Sequence, residues 1–207
     1  MMIIIPGVMK GASRLQKYLT ERSCAAEKKQ ELVQSIYTAE LGVRERTGNN
    51  DGAQVEDYLR YVELRKGNPW CAAFVCWVFG KAGIANPRSG WSPNLFPAKN
   101  IIWQRSQSAA LRTGTAERRT CVPARGDVFG IWFPDKRRIA HVGFVDQWDD
   151  SWVVTVEGNT NEAGSREGDG VYRKRRLVRS LWQVASWIKG QGSTSENEKG
   201  GLTWKRT

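Results

Sequence analysis

A single histidine, His141, stands in 207 residues. One imidazole cannot build a histidine-based zinc cluster, and any histidine catalysis must pass through that ring. Cysteine is sparse as well. Cys24, Cys71, Cys76 and Cys121 form no CxxC pair and show no metal-ligand spacing, and Cys71 and Cys76 are too widely spaced on a helix to bridge each other well. The expectation is reduced thiols in a protein made in a reducing compartment. No uninterrupted apolar run approaches the length of a membrane span. Met1–Val8 is oily, but it has no basic flank and Pro6 interrupts it. It reads as a frayed start or short edge strand rather than a secretory signal. No internal repeat is visible, and no domain boundary falls inside residues 27–189.

The residues that are abundant point to a packed globule. The hydrophobic fraction is 40% and there are ten Trp, enough for one ordinary domain with a full core. Lys and Arg number 32 against 21 Asp and Glu, a net charge of +11. Such a chain is drawn to polyanions, whether nucleic acid, wall polymer, anionic lipid or phosphorylated glycan. The densest basic run is Arg173, Lys174, Arg175 and Arg176. Solvated strand faces explain much of it, and contact with an anionic polymer is the functional alternative.

The chain is organised around Gly67–Phe79 (GNPWCAAFVCWVF), which ends at Gly83. Gly67, Asn68 and Pro69 break structure, and the residues after them are apolar on every side until Lys81. That pattern predicts a buried helix from Cys71 to Ala82. Cys71 then sits in the first turn, where unpaired backbone N–H groups and the helix dipole stabilise a thiolate, the nucleophilic form. The alternative is that Cys71 is one more buried small hydrophobe, the reading that suits Cys76.

Residues 1–26 read as a loosely attached arm. Glu27–Leu41 carries Leu32, Val33, Ile36 and Ala39 on one helical face, and Gly52–Leu64 repeats the pattern with Val55, Tyr58, Leu59 and Val62. Asn50 or Asp51 is the expected N-cap. Tyr58 and Tyr61 fit the helix face as packing residues. Asn86–Pro97 reads as a structured loop in which Trp91 lines a site or covers the core edge. Ala98–Gln104 reads as a short helix and Arg105–Arg125 as basic irregular chain. The period then changes to two. Strands are expected at Asp127–Phe133, Ala140–Gln147, Trp152–Glu157, Gly170–Arg175 and Val184–Ile188. Helices first and strands after them mean α+β with an antiparallel sheet of about five to six strands. Residues 190–207 read as a polar, disordered tail.

If Trp148, Asp149 and Asp150 form the hairpin loop, His141 faces Glu157 directly across two strands. A two-residue loop would put the two side chains on opposite faces. Asn159, two residues on, is a second partner for the imidazole. A thiolate at a helix start, an imidazole on a sheet and an acid or amide behind it form a nucleophile, base and orienter.

These segments carry a resemblance. PWCAAFVCW, RGDVFGIW, HVGFV and VVTVEGNT resemble, in order, the CHAP family of cysteine, histidine-dependent amidohydrolases and peptidases, relatives of the papain-like NlpC/P60 wall hydrolases. AELGVRE and VEDYL upstream are also similar, so the resemblance covers residues 30–189. It implies a papain-like fold, a catalytic domain at 27–189, Cys71 as nucleophile, His141 as base, and Glu157 and Asn159 as orienting positions. It gives Gly126–Asp127 a structural turn and no chemistry. The activity implied is cysteine-dependent cleavage of a peptidoglycan amide through a thioester, with no cofactor. Some members bind calcium through an acidic cluster ahead of the cysteine. Asn49–Gly52 is only faintly similar, lacking the alternating carboxylates of a calcium loop. The expected partner is peptidoglycan, with Arg173–Arg176 as contacts for anionic wall polymer, and the expected state is a monomer with no membrane and no nucleic-acid partner. The missing signal implies synthesis in the cytoplasm, with action at the wall after lysis or non-classical export. A papain-like amidase with a non-wall substrate and a non-enzymatic nucleic-acid-binding module are the alternatives.

Overall fold

Between Trp70 and Phe79 no polar side chain gives water a hold, and the chain responds by burying all of it. Helix α3 (Cys71–Lys81) has every side chain from Cys71 to Phe79 buried. The structure is a computed structural model and describes residues 6–105, 118–119, 121–162 and 168–188. Two helices precede α3, α1 (Pro6–Ala39) and α2 (Ala53–Tyr61). Among the described residues seven strands come after it: β1 (Ile101–Gln104), β2 (Arg118–Arg119), β3 (Val128–Phe133), β4 (Arg138–Trp148), β5 (Trp152–Thr160), β6 (Gly170–Leu177) and β7 (Gln183–Ala185). They form one sheet in the order β2-β1-β7-β3-β4-β5-β6, antiparallel at every pairing. The fold is α+β, as the order of periodicities requires.

One apolar cluster lies between the helices and the sheet, where Phe144 stacks on Tyr37 of α1 and meets Phe74 and Phe79 of α3 edge-on. A smaller one groups Trp103, Phe129, Val145, Val153, Leu181 and Val184. No helix among the described residues is long and apolar enough to cross a membrane.

Several expectations are corrected. The helix expected from Glu27 starts earlier, at Pro6. Its buried face carries Ala26, Val33 and Tyr37, while Leu32 is 45% exposed. Periodicity alone could not separate two stripes one residue apart. The N-cap of α2 is Gly52, without a side-chain cap bond. Asp51 instead turns back to accept hydrogen bonds from the Thr47 N–H (2.9 Å) and hydroxyl (3.0 Å) and pairs with Arg46. The segment expected as a helix at Ala98–Gln104 is a 3-10 turn leading into β1. Its β-branched pair Ile101–Ile102 suits a strand. The tail expected at 190–207 lies outside the described residues.

The β4–β5 hairpin sets the site. Its turn is shorter than expected, with the Asp149 N–H donating to the Trp152 carbonyl at 2.9 Å. A two-residue turn alone would send His141 and Glu157 to opposite faces. A bulge at Asp146 undoes this, because Val145 pairs with Thr155 but Gln147 pairs with Val154. The bulged Asp146 is buried and holds α1 to the sheet. It accepts from the Tyr37 hydroxyl (2.7 Å) and the Gln34 amide (3.0 Å) and pairs with Arg173 (3.1 Å). Tyr37→Phe leaves this buried carboxylate short of a donor. It should lower unfolding stability by about 1–3 kcal/mol, measured by urea denaturation at neutral pH.

Candidate active site

The start of α3 is pinned from two sides. The Trp70 N–H donates to Asn159 Oδ1 at 3.0 Å, and the Trp70 indole N–H donates to Glu45 at 2.8 Å. Gly158 lies against Trp70 and Phe74, so closely that a Cβ there would come within 2.6 Å of the indole. The end of β5 therefore presses on the first turn of α3 and fixes Cys71. Cys71 is 5% exposed and lines a cleft of about 490 Å³ with Ser92, Trp91, Arg88 and Arg138. Trp91 is 50% exposed in this wall, so it lines the site and does not cover the core edge. The Ser92 hydroxyl is 3.8 Å from the sulfur.

His141 and Glu157 are fully enclosed, and His141 Nε2 lies 2.8 Å from Glu157 Oε2. They are not directly opposed, as the longer loop would have required. Extending the Phe144–Val156 pairing puts Glu157 level with Gly143, two positions beyond His141. A shift of two preserves the face, and the carboxylate leans diagonally to the ring. Gly143 makes the room, since a Cβ there would stand 2.7 Å from the Val156 carbonyl and 3.0 Å from Glu157 Cγ.

Glu157 is held by more than the histidine. Thr155 Oγ1 donates to Oε1 at 2.5 Å, and the Arg176 guanidinium grips both oxygens at 2.5 and 2.6 Å. Burial pushes the Glu157 carboxyl up, but Arg176 and then His141 outweigh it and hold the group well below the usual carboxylate range. Burial likewise disfavours the imidazolium, yet Cys71 and Glu157 overcome it and raise His141 to about 9. Burial raises the Cys71 thiol. The interaction with His141, and after it Ser92 and the Val142 backbone, bring it below its ordinary value. With Nε2 engaged by Glu157 and no conventional hydrogen bond at Nδ1 among the described residues, Nδ1 is the ring atom left for the sulfur. Both shifts favour the thiolate and imidazolium over the neutral pair. Cys76 differs: burial pushes its thiol up to about 11.

Residues 64–159 match the family model of the CHAP domain. The chain carries a CHAP domain. CHAP domains are cysteine- and histidine-dependent amidohydrolases and peptidases, so the match implies a hydrolase of the amidase or peptidase type. The matched segment opens just before α3 and closes at Asn159, enclosing Cys71, His141 and Glu157. The similar stretches upstream, AELGVRE and VEDYL, lie outside it. No curated protein and no solved structure matches the chain.

Of the residues singled out in the CHAP motifs, Cys71, His141 and Glu157 come together. Asn159 does not reach the imidazole. Its side chain bonds Trp70, Asn50 and the Gly168 carbonyl, so it fixes the helix start rather than the ring. Arg176 was expected on a polymer-binding surface and instead clamps Glu157. Of its neighbours, Arg173 pairs with Asp146, Lys174 donates to the Asn161 and Glu162 carbonyls, and Arg175 lies over the Trp152 ring at 4.3 Å. The strand alternation could have separated Arg173 and Arg175 from Arg176, but nothing in the sequence paired Arg176 with Glu157. Among the described residues no cluster could hold a metal ion.

The active form of the pair exists between the lowered thiol and the raised imidazole, so the pH profile of kcat/KM should fall on its alkaline side near pH 9. Glu157→Gln removes a carboxylate that raises the imidazole. Its alkaline limb should move to lower pH, with kcat/KM down about 100-fold. Gly143→Ala should lower kcat by pushing Glu157 off the ring, with the same downward shift of that limb.

Proposed function

We propose that the chain hydrolyses an amide bond of peptidoglycan, in the stem peptide, in the cross-bridge or at the muramoyl–alanine junction, through a thioester on Cys71. The observation that carries this reading is the buried His141–Glu157 bond beneath a thiol that opens into a cleft. The CHAP match supports a wall-type substrate. The thiolate attacks the carbonyl carbon, and the carbonyl π electrons move to oxygen. The oxyanion is met by the Cys71 backbone N–H, which has no acceptor inside its own helix. The Ser92 hydroxyl is a second donor within reach. As the tetrahedral intermediate collapses, the C–N bond breaks and His141 Nδ1 gives its proton to the leaving amine. Neutral His141 then takes a proton from water, which attacks the thioester. The acid departs and the thiolate and imidazolium are restored. Glu157 keeps the ring oriented throughout and stabilises its cation, and Arg176 and Thr155 keep Glu157 in place.

Purified peptidoglycan incubated with the protein should release new amine and carboxyl termini, identified by mass spectrometry of the soluble muropeptides. Cys71→Ala should reduce release at least about a thousandfold. Equal release by both proteins would refute the cysteine mechanism. Hydrolysis of protein or small amides with intact walls untouched would assign the same chemistry to another substrate.

A further inference from the structure

The cleft over Cys71 has a sign. Among the described residues its charged lining is Arg88 and Arg138, with no carboxylate. The net charge of the chain does not account for this. Pro69 borders a second cavity of about 600 Å³ whose charged lining, among the described residues, is Glu45, Glu162 and Asp169. Neighbouring hollows of opposite sign mean that charge is placed locally.

Both arginines are held rather than free. Arg138 lies over the Trp91 ring at 3.9 Å and donates to the Ile139 carbonyl at 3.1 Å. Arg88 lies over Tyr61 at 4.8 Å and donates to its carbonyl at 3.3 Å. Arg88 also has φ 45°, the left-handed region that a non-glycine residue enters at a cost. Asn86 Oδ1 accepts its N–H at 3.0 Å and holds it there. Strain of this kind persists where surrounding structure enforces it, and it gathers at sites of function. A guanidinium has five donors, and neither arginine is paired with a carboxylate among the described residues. Two stacked guanidiniums with donors to spare suit a planar oxyanion.

We infer that Arg88 and Arg138 form a carboxylate-binding subsite beside the nucleophile, and that the preferred substrate is an anionic peptide with a free carboxylate next to the scissile amide. The inference rests on the reading of Cys71 as the nucleophile of a peptidoglycan amidase or peptidase, and names what that site selects.

The test is a set of synthetic muropeptides in which each free carboxylate in turn is converted to the carboxamide, assayed with the full chain at fixed ionic strength. One conversion should reduce kcat/KM about 10- to 100-fold, mainly through KM. Arg88→Gln and Arg138→Gln should each weaken cleavage of the free-carboxylate peptide far more than cleavage of the matching carboxamide. If a variant fails to fold, the wild-type comparison alone decides. Equal cleavage of every peptide by the wild type overturns the subsite and leaves the peptidoglycan reading standing. Equal loss on acid and amide in the arginine variants also overturns it. Cleavage of none of the peptides overturns both.

Discussion

A carboxylate with no access to water cannot stand alone, and the site is built around satisfying one. Glu157 is fully buried between the strands that also bury His141. Ionised, it needs cations and donors to offset its lost hydration. Arg176, Thr155 and His141 supply them. With Cys71 as thiolate, the four ionic groups sum to zero charge. The imidazolium is stable in a dry setting because it is one member of a neutral quartet. Remove the guanidinium and the remaining charges no longer balance, which makes Arg176 part of the same unit although it lies on the outer side of the carboxylate.

The same economy appears at the helix start. Asn159 accepts from the Trp70 N–H, and Gly158 allows β5 to close on α3. The Cys71 sulfur and the Glu157 carboxylate are thus placed by three consecutive residues of one strand, Glu157, Gly158 and Asn159. The first acts on the ring, the second removes bulk, and the third anchors the backbone that carries the sulfur.

Much of this was legible in the sequence. The all-apolar run after Pro69 could only be a buried helix, and the change of period near Asp127 announced the sheet. A lone histidine narrowed the chemistry to one ring. The features that were not legible depend on three-dimensional offsets. Turn length in the β4–β5 hairpin cannot be read from Trp148–Ser151, and a bulge at an acidic residue leaves no periodic trace. The Leu32 stripe and the Val33–Tyr37 stripe differ by one step, and only the hydroxyl of Tyr37 meeting Asp146 decides between them. The basic run from Arg173 looked uniform because a string of letters does not show that Arg173 and Arg176 each face a buried acid.

The bulge at Asp146 constrains how this hairpin can drift over evolutionary time. Strand faces alternate with every residue, so inserting or deleting a single position between 141 and 157 would swing Glu157 away from the imidazole. Only changes in pairs, or one change cancelled by another bulge, keep Glu157 and His141 in partnership. Because Asp146 also tethers α1, removing the bulge itself would loosen the helix as well. Chain length in this segment is therefore quantised, while the turn at its tip remains free to vary in composition.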